Sequence, residues 1–192
     1  MNTVRLRIYI LLTMILSLCG CAALVVTGGA AGASMAIDKR TTGTIIEDEA
    51  IELKISEAFR KDKEIDNKAH WNAISYNTKV LLTGEAPNET LKRRMAELAM
   101  NVPKVTAVHN EITIAAPSSM MSRSSDTVIT GKVKTKLLAD KNTEGLSIKV
   151  ATDKGVVYLM GLISRHQADL ATDVVRQTGG VQKVVKLFEY TD

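Results

Sequence analysis

Cysteine is almost missing from this chain. Of 192 residues only Cys19 and Cys21 are cysteines, and the roughly 170 residues after them have none. The folded part therefore holds no disulfide, no thiol nucleophile and no cysteine-ligated metal. A bilayer-spanning run is also absent at the N-terminus, because the apolar stretch 8–18 falls far short of the ~20 residues that cross a membrane. Histidine is scarce: His70, His109 and His166 lie far apart, with none of the local spacings that make a metal site. Charge of one sign is lacking too. The formal net charge is +4, which gives no basis for a nucleic-acid partner.

Catalytic patterns are equally thin. Ser118, Ser119, Ser122, Ser124 and Ser125 crowd a polar stretch where no fixed base or oxyanion pocket is expected. Gly28-Gly29 lacks the strand-before, helix-after setting of a phosphate loop. Glu47-Asp48-Glu49 suits helix-end electrostatics better than paired catalytic carboxylates. No enzyme and no cofactor is expected.

What is present begins at the N-terminus. Arg5 and Arg7 precede the apolar stretch, which closes with Leu18-Cys19-Gly20-Cys21. A basic end, an apolar core and a small residue before the cut form a cleaved export signal over residues 1–20. Leu-x-Gly-Cys resembles the lipobox of bacterial lipoproteins. That resemblance implies a diacylglycerol on the Cys21 thiol, cleavage before Cys21 and an acyl chain on its new amino group. Cys19 is the weaker rival, since bulky Leu18 precedes it. Ala22, where inner-membrane lipoproteins typically carry Asp, implies transfer to the outer membrane of a Gram-negative bacterium, facing the periplasm. Residues 21–45, rich in Gly and Ala at their start, read as a flexible lipidated tether.

The rest contains an internal repeat. Lys79-Val80-Leu81-Leu82-Thr83-Gly84 recurs as Val156-Val157-Tyr158-Leu159-Met160-Gly161. Each copy leads into a helical segment, 88–101 and 164–178, and then a Val-x-x-Val strand, Val105 to Val108 and Val181 to Val184. Upstream, Ile51, Ile55 and Phe59 match Ile129, Val133 and Leu137 at helix-stripe spacing. Each repeat thus has the order α-β-β-α-β: an α+β unit with a three-stranded sheet and two helices. Hairpins turn near Asn77-Thr78 and at Asp153-Lys154-Gly155. The units span 46–116 and 126–192, joined by a loop-like linker, 117–125. The first carries 10 basic against 12 acidic residues over 47–116, the second 10 against 8, so the second is the likelier to face an acidic surface.

Paired units of this kind behind a lipobox resemble BON domains, as found in dual-BON outer-membrane lipoproteins associated with envelope integrity and the division site. Asp38-Lys39-Arg40-Thr41-Thr42-Gly43 and Asp126-Thr127-Val128-Ile129-Thr130-Gly131 also fit that family. The resemblance implies a second unit that binds anionic phospholipid such as phosphatidylglycerol. The residues point to the same place. On a helix over 126–139, Ile129, Val133 and Leu137 face the sheet, while Thr127, Val128, Gly131, Thr135 and Leu138 face outward beside Lys132 and Lys134. Asp126 is the expected N-cap. The family pattern leads us to expect an aromatic where this chain has Val128, which implies weaker insertion. The alternative is that Val128 and Leu138 pack on the first unit or the linker. Gly84 and Gly161 are read as structural, needing positive φ or close approach of a neighbour, and Trp71 as core. A competing function is docking onto outer-membrane assembly or cell-wall remodelling proteins by an exposed sheet edge, a role open to the acidic first unit even where the second binds lipid. The protein is expected to be a monomer.

Overall fold

Thr41 opens the described structure by capping a helix: its hydroxyl accepts from the Thr44 amide at 3.1 Å. Helix α1 (Thr42–Lys61) buries Ile51, Ile55 and Phe59. It therefore starts inside the segment expected to be tether. This computed structural model describes residues 38–192; the signal, Cys21 and most of the tether lie outside them. Asp62 ends α1 and caps a short helix, α2 (Lys63–Lys68), through the Glu64 and Ile65 amides. Sequence periodicity gave no sign of α2, because it is too short to show a stripe.

Strand β1 (His70–Tyr76) pairs antiparallel with β2 (Lys79–Ala86). Asn77 and Thr78 both have positive φ, the two-residue turn whose twist matches its strands. Helix α3 (Glu89–Met100), capped by Asn88, returns the chain to a parallel partner for β2. That last strand is broken into β3 (Ala107–Asn110) and β4 (Thr113–Ile114), with Ile112 between them wholly buried in the core.

The second unit repeats the plan. Helix α4 (Met120–Ala139) leads through a short 3-10 turn (Gly145–Ser147) into β5 (Ile148–Asp153) and β6 (Val156–Ile163). Helix α5 (Arg165–Arg176), with a Ser164/Gln167 capping box, precedes β7 (Lys183–Tyr190), parallel to β6. Both sheets are mixed, and apart from α2 and the break in its last strand the first unit shares the α-β-β-α-β order of the second, as the repeat implied.

Three local expectations fail. The polar stretch 117–125 is helical from Met120, and the N-cap of α4 is Ser119, which accepts from the Ser122 amide, not Asp126. Serines are weak helix formers, and they hid two extra turns. Asp126 is instead buried and accepts from the Lys154 and Gly155 amides at 2.9 Å each. Asp48, expected to act at a helix end, is buried in α1. It accepts from Ser75 Oγ at 2.6 Å, from the Asn77 and Thr78 amides at 2.8 Å, and from Arg40. Hairpin amides covered by a helix need an acceptor, and these carboxylates supply it.

Strand alternation explains how the units meet. Val80 and Leu82 of β2 face the helices of the first unit, and Val157 and Leu159 of β6 those of the second. The opposite faces share one apolar cluster: Tyr76, Leu81, Ala151, Tyr158 and Met160 are buried there together. The sheets therefore lie back to back with helices outside. Polar contacts tie the seam, including Lys149 Nζ to Glu52 at 2.7 Å, Asn77 Nδ2 to Glu189 at 2.9 Å and the Gly84 amide to Asp153 at 3.2 Å. The described residues thus form one compact unit.

Candidate functional site

Twenty residues of α4 carry the candidate site. Ile129, Val133 and Leu137 hold the helix to its sheet. On the outer side Thr127, Val128, Gly131, Lys132, Lys134, Thr135 and Leu138 are all exposed. Val128 and Leu138 are each 55% exposed and join none of the apolar clusters. The Thr127 and Thr135 hydroxyls donate back to the Arg123 and Gly131 carbonyls of their own helix. Their polar groups are satisfied, and the outer surface is the more apolar for it.

The extra turns lengthen this face. At 100° per residue, Met120 lies in line with Leu138, and Met121 falls beside Val128. The two methionines are 79% and 82% exposed, and Arg123 stands on the same edge as Lys134. Sequence reasoning missed Met120, Met121 and Arg123 because they lay in the supposed linker; Ser119 before two methionines was the available signal. The only acid in α4 is the buried Asp126. Among the described residues, Arg123, Lys132 and Lys134 have no ion-pair partner, while Lys136 Nζ donates to the Gln177 carbonyl.

Helix α1 holds the equivalent place in the first unit and has the opposite character. Ile46 and Leu53 are exposed there too, but Glu49 and Glu57 flank them. Its basic residues are largely paired: Lys54 with Glu47 at 3.8 Å and Lys61 with Glu57 at 2.7 Å. An anionic surface would repel α1 and attract α4.

The repeated glycines differ in geometry. Gly84 has φ +120°, and a Cβ there would collide with the His70 carbonyl. Gly161 has no positive φ; a Cβ would sit 2.9 Å from the Ser147 carbonyl and against the Phe188 ring. Trp71 packs edge-on against Phe59, 5.1 Å between centroids.

The histidines are dispersed. His70 Nδ1 lies 3.0 Å from Glu85 Oε2, His109 is in β3 and His166 is exposed on α5. Burial works against the Glu85 charge, but Lys154 at 2.8 Å, with His70 and a Ser118 backbone contact, holds its carboxyl below the usual range. Burial and the Glu85 charge push neighbouring Asp153 upward. This is an interdomain ion cluster, with Lys154 of the second unit inserted into the first. No group of three or more metal-ligating side chains exists among the described residues, and none of their helices is long and apolar enough to cross a membrane.

Comparison with known proteins agrees with this architecture. Residues 47–116 and 125–192 each match the BON domain. The chain is 40% identical over 186 residues to the outer membrane lipoprotein DolP of Haemophilus influenzae, covering 97% of this chain and 96% of that one. It is 36% identical to a 21 kDa hemolysin of Actinobacillus pleuropneumoniae, covering 80% and 79%. It is 28% identical to the osmotically-inducible protein Y of Escherichia coli, covering 82% and 80%. With two matched domains and near full-length similarity to a lipoprotein of that membrane, the chain belongs to the BON-domain family, as a dual-BON outer-membrane lipoprotein.

Proposed function

We propose that this lipoprotein is a non-enzymatic binder of anionic phospholipid that uses the outer face of α4 and supports envelope integrity. Lipidation at Cys21, with a diacylglycerol and an N-acyl chain, would hold it on the periplasmic side of the outer membrane. The observation that carries the reading is the α4 face itself. Four exposed apolar side chains are edged by three unpaired cations, with no exposed acid on the helix. Apolar side chains enter the headgroup boundary and the cations meet phosphates. Each cation near an anionic surface contributes ~1 kcal/mol, so three give roughly 100-fold in affinity. That is weak alone but effective once an anchor raises the local concentration.

The test is flotation of the mature chain, made without its signal and so unlipidated, with phosphatidylglycerol or phosphatidylcholine vesicles. Salt-sensitive binding to the anionic vesicles is expected, and equal or absent binding to both would overturn the reading. The acidic surface of α1, with Ile46 and Leu53 exposed, supports a second reading: docking to a basic patch of an outer-membrane assembly or cell-wall remodelling protein.

A further inference from the structure

Strand β1 is an edge of its sheet, paired on one side only, with β2. Alternate residues turn their backbone groups away from β2, and Ser75 shows which. Its amide donates to Glu52 Oε1 at 2.8 Å, and its carbonyl accepts from Lys149 Nζ at 3.3 Å. By the same alternation Trp71 and Ala73 present their amides and carbonyls outward. Among the described residues these backbone groups have no hydrogen-bond partner. Proteins usually blunt such an edge with charges, proline or a bulge. Here Glu52 and Lys149 close it at Ser75, while residues 71–73 stay open.

Each face of the open stretch borders a hollow. On the helix side a hollow of about 430 Å³ lies between α1 and β1, lined by Leu53, Ser56, Trp71 and Ala73 with two acids, Glu49 and Glu52, and no base. Leu53 is 71% exposed, and Glu49 has no ion-pair partner among the described residues. On the seam side a cleft of about 420 Å³ carries polar side chains that include Asn72, Thr83, Thr127, Thr152 and Arg123.

We propose that the β1 edge docks an extended segment of another protein, which adds as an antiparallel strand and alternates Lys or Arg with Thr, Ser or Asn. This deepens the docking reading and is independent of lipid binding by α4. Main-chain bonds to residues 71 and 73 supply affinity, and the hollows on alternate sides supply selectivity. Trp71 and Ala73 point their side chains into the α1 side, so residues directly opposite them do the same. There an aliphatic stem covers Leu53 and Ala73 while its cationic tip reaches Glu49. The intervening residues face the seam, where short hydroxyl or amide groups meet Asn72 and Arg123. An acidic strand would be repelled by Glu49 and Glu52.

The probe is the peptide acetyl-Thr-Lys-Thr-Lys-Thr-amide, titrated by calorimetry against the unlipidated mature chain. In the proposed pairing the lysine amides donate to β1 and the threonine amides point away. Two isomers, N-methylated at both lysine amides or at two threonine amides, have the same charge and composition. The threonine isomer should bind within about twofold of the plain peptide, and the lysine isomer about tenfold more weakly, the effect of two hydrogen bonds. Ala73→Pro removes an outward amide, a change that edge strands tolerate, and Glu49→Lys reverses an exposed, unpaired charge. Each should weaken the plain peptide by about tenfold, and Ala73→Pro should leave binding to phosphatidylglycerol vesicles unchanged. If Ala73→Pro proves unfolded in urea melts, the isomer pair still decides. Isomers that bind alike, or no binding of the plain peptide, overturn the edge. Alike isomers that both weaken with Glu49→Lys leave charge docking on α1 standing without it. Self-association of the wild type that Ala73→Pro abolishes would seat a second copy of this chain on β1 and overturn the proposed partner.

Discussion

Asp48 and Asp126 are the same residue in the two repeats, and each is a buried helix carboxylate that accepts the backbone amides of its own unit's hairpin turn. The first helix of each unit is thereby fastened to the sheet by a polar contact as well as by its apolar stripe. Asp126→Ala would leave the Lys154 and Gly155 amides unpaired under the helix. The expected loss is ~2–4 kcal/mol, since each buried group left without a partner costs about 1–3 kcal/mol. Urea unfolding measures it, and a loss below about 1 kcal/mol would show that water replaces the carboxylate.

Much of this fold was legible because its signals are periodic. The stripes of α1 and α4, the hairpins and the repeat all rest on spacing, which a sequence displays directly. The aspartates were not legible. An acid near a helix start looks the same whether it faces solvent or a covered turn, and only packing separates the two. The α4 extension was hidden for a related reason: serines at 119, 122, 124 and 125 resemble a linker, although tertiary burial of the later turns makes the helix stable. The back-to-back seam could not be read at all. Tyr158 and Met160 alternate with core residues as any strand's second face does, and nothing in their spacing names the partner sheet.

That seam makes an alkaline prediction. Burial between the sheets, with Glu111 and Asp153 nearby, pushes the Tyr158 phenol from its usual 10.0 up to about 12. A group whose pKa is raised on folding contributes stability below its unfolded value and loses it as pH climbs to the folded value. The affected window is therefore pH 10 to about 12. Lysines also titrate there, so the comparison needed is with Tyr158→Phe, whose stability should fall less steeply across that window in parallel urea melts. Identical slopes would mean that the phenol reaches solvent.

The two glycines should respond unequally. Gly84→Ala forces an L-residue to φ +120° and drives Cβ into the His70 carbonyl, so we expect a loss of roughly 2–4 kcal/mol. Gly161→Ala faces only a tight 2.9 Å approach to the Ser147 carbonyl, which a small strand shift relieves, and should lose about half as much. Thermal melts that reverse this order would assign the greater strain to the second unit.

Cys21→Ala should leave uncleaved, unacylated precursor, because no neighbouring thiol stands in a Leu-x-Gly-Cys context. Intact-mass spectrometry of the wild-type protein decides the matter: an unmodified mature N-terminus would be incompatible with lipidation there.

The outer face of α4 is open to the most direct trial. Val128→Glu sets a charge among Met121, Gly131, Lys132 and Thr135, and Lys132→Glu with Lys134→Glu reverses both edges. None of these positions belongs to the Ile129, Val133 and Leu137 stripe, so stability should hold within about 1 kcal/mol, as for most surface changes. Binding to phosphatidylglycerol vesicles should fall in both variants. Raised salt should reproduce only the lysine result, because salt screens charge and leaves apolar insertion intact. Val128→Trp should strengthen binding by supplying an interfacial ring that α4 lacks. Met121→Glu, at a position 82% exposed, asks whether the two added turns reach the bilayer as well. If it weakens binding as much as Val128→Glu, the membrane contact spans the whole helix. If every charge variant binds as wild type does, α4 is not the membrane face, and the acidic α1 surface becomes the one to explore.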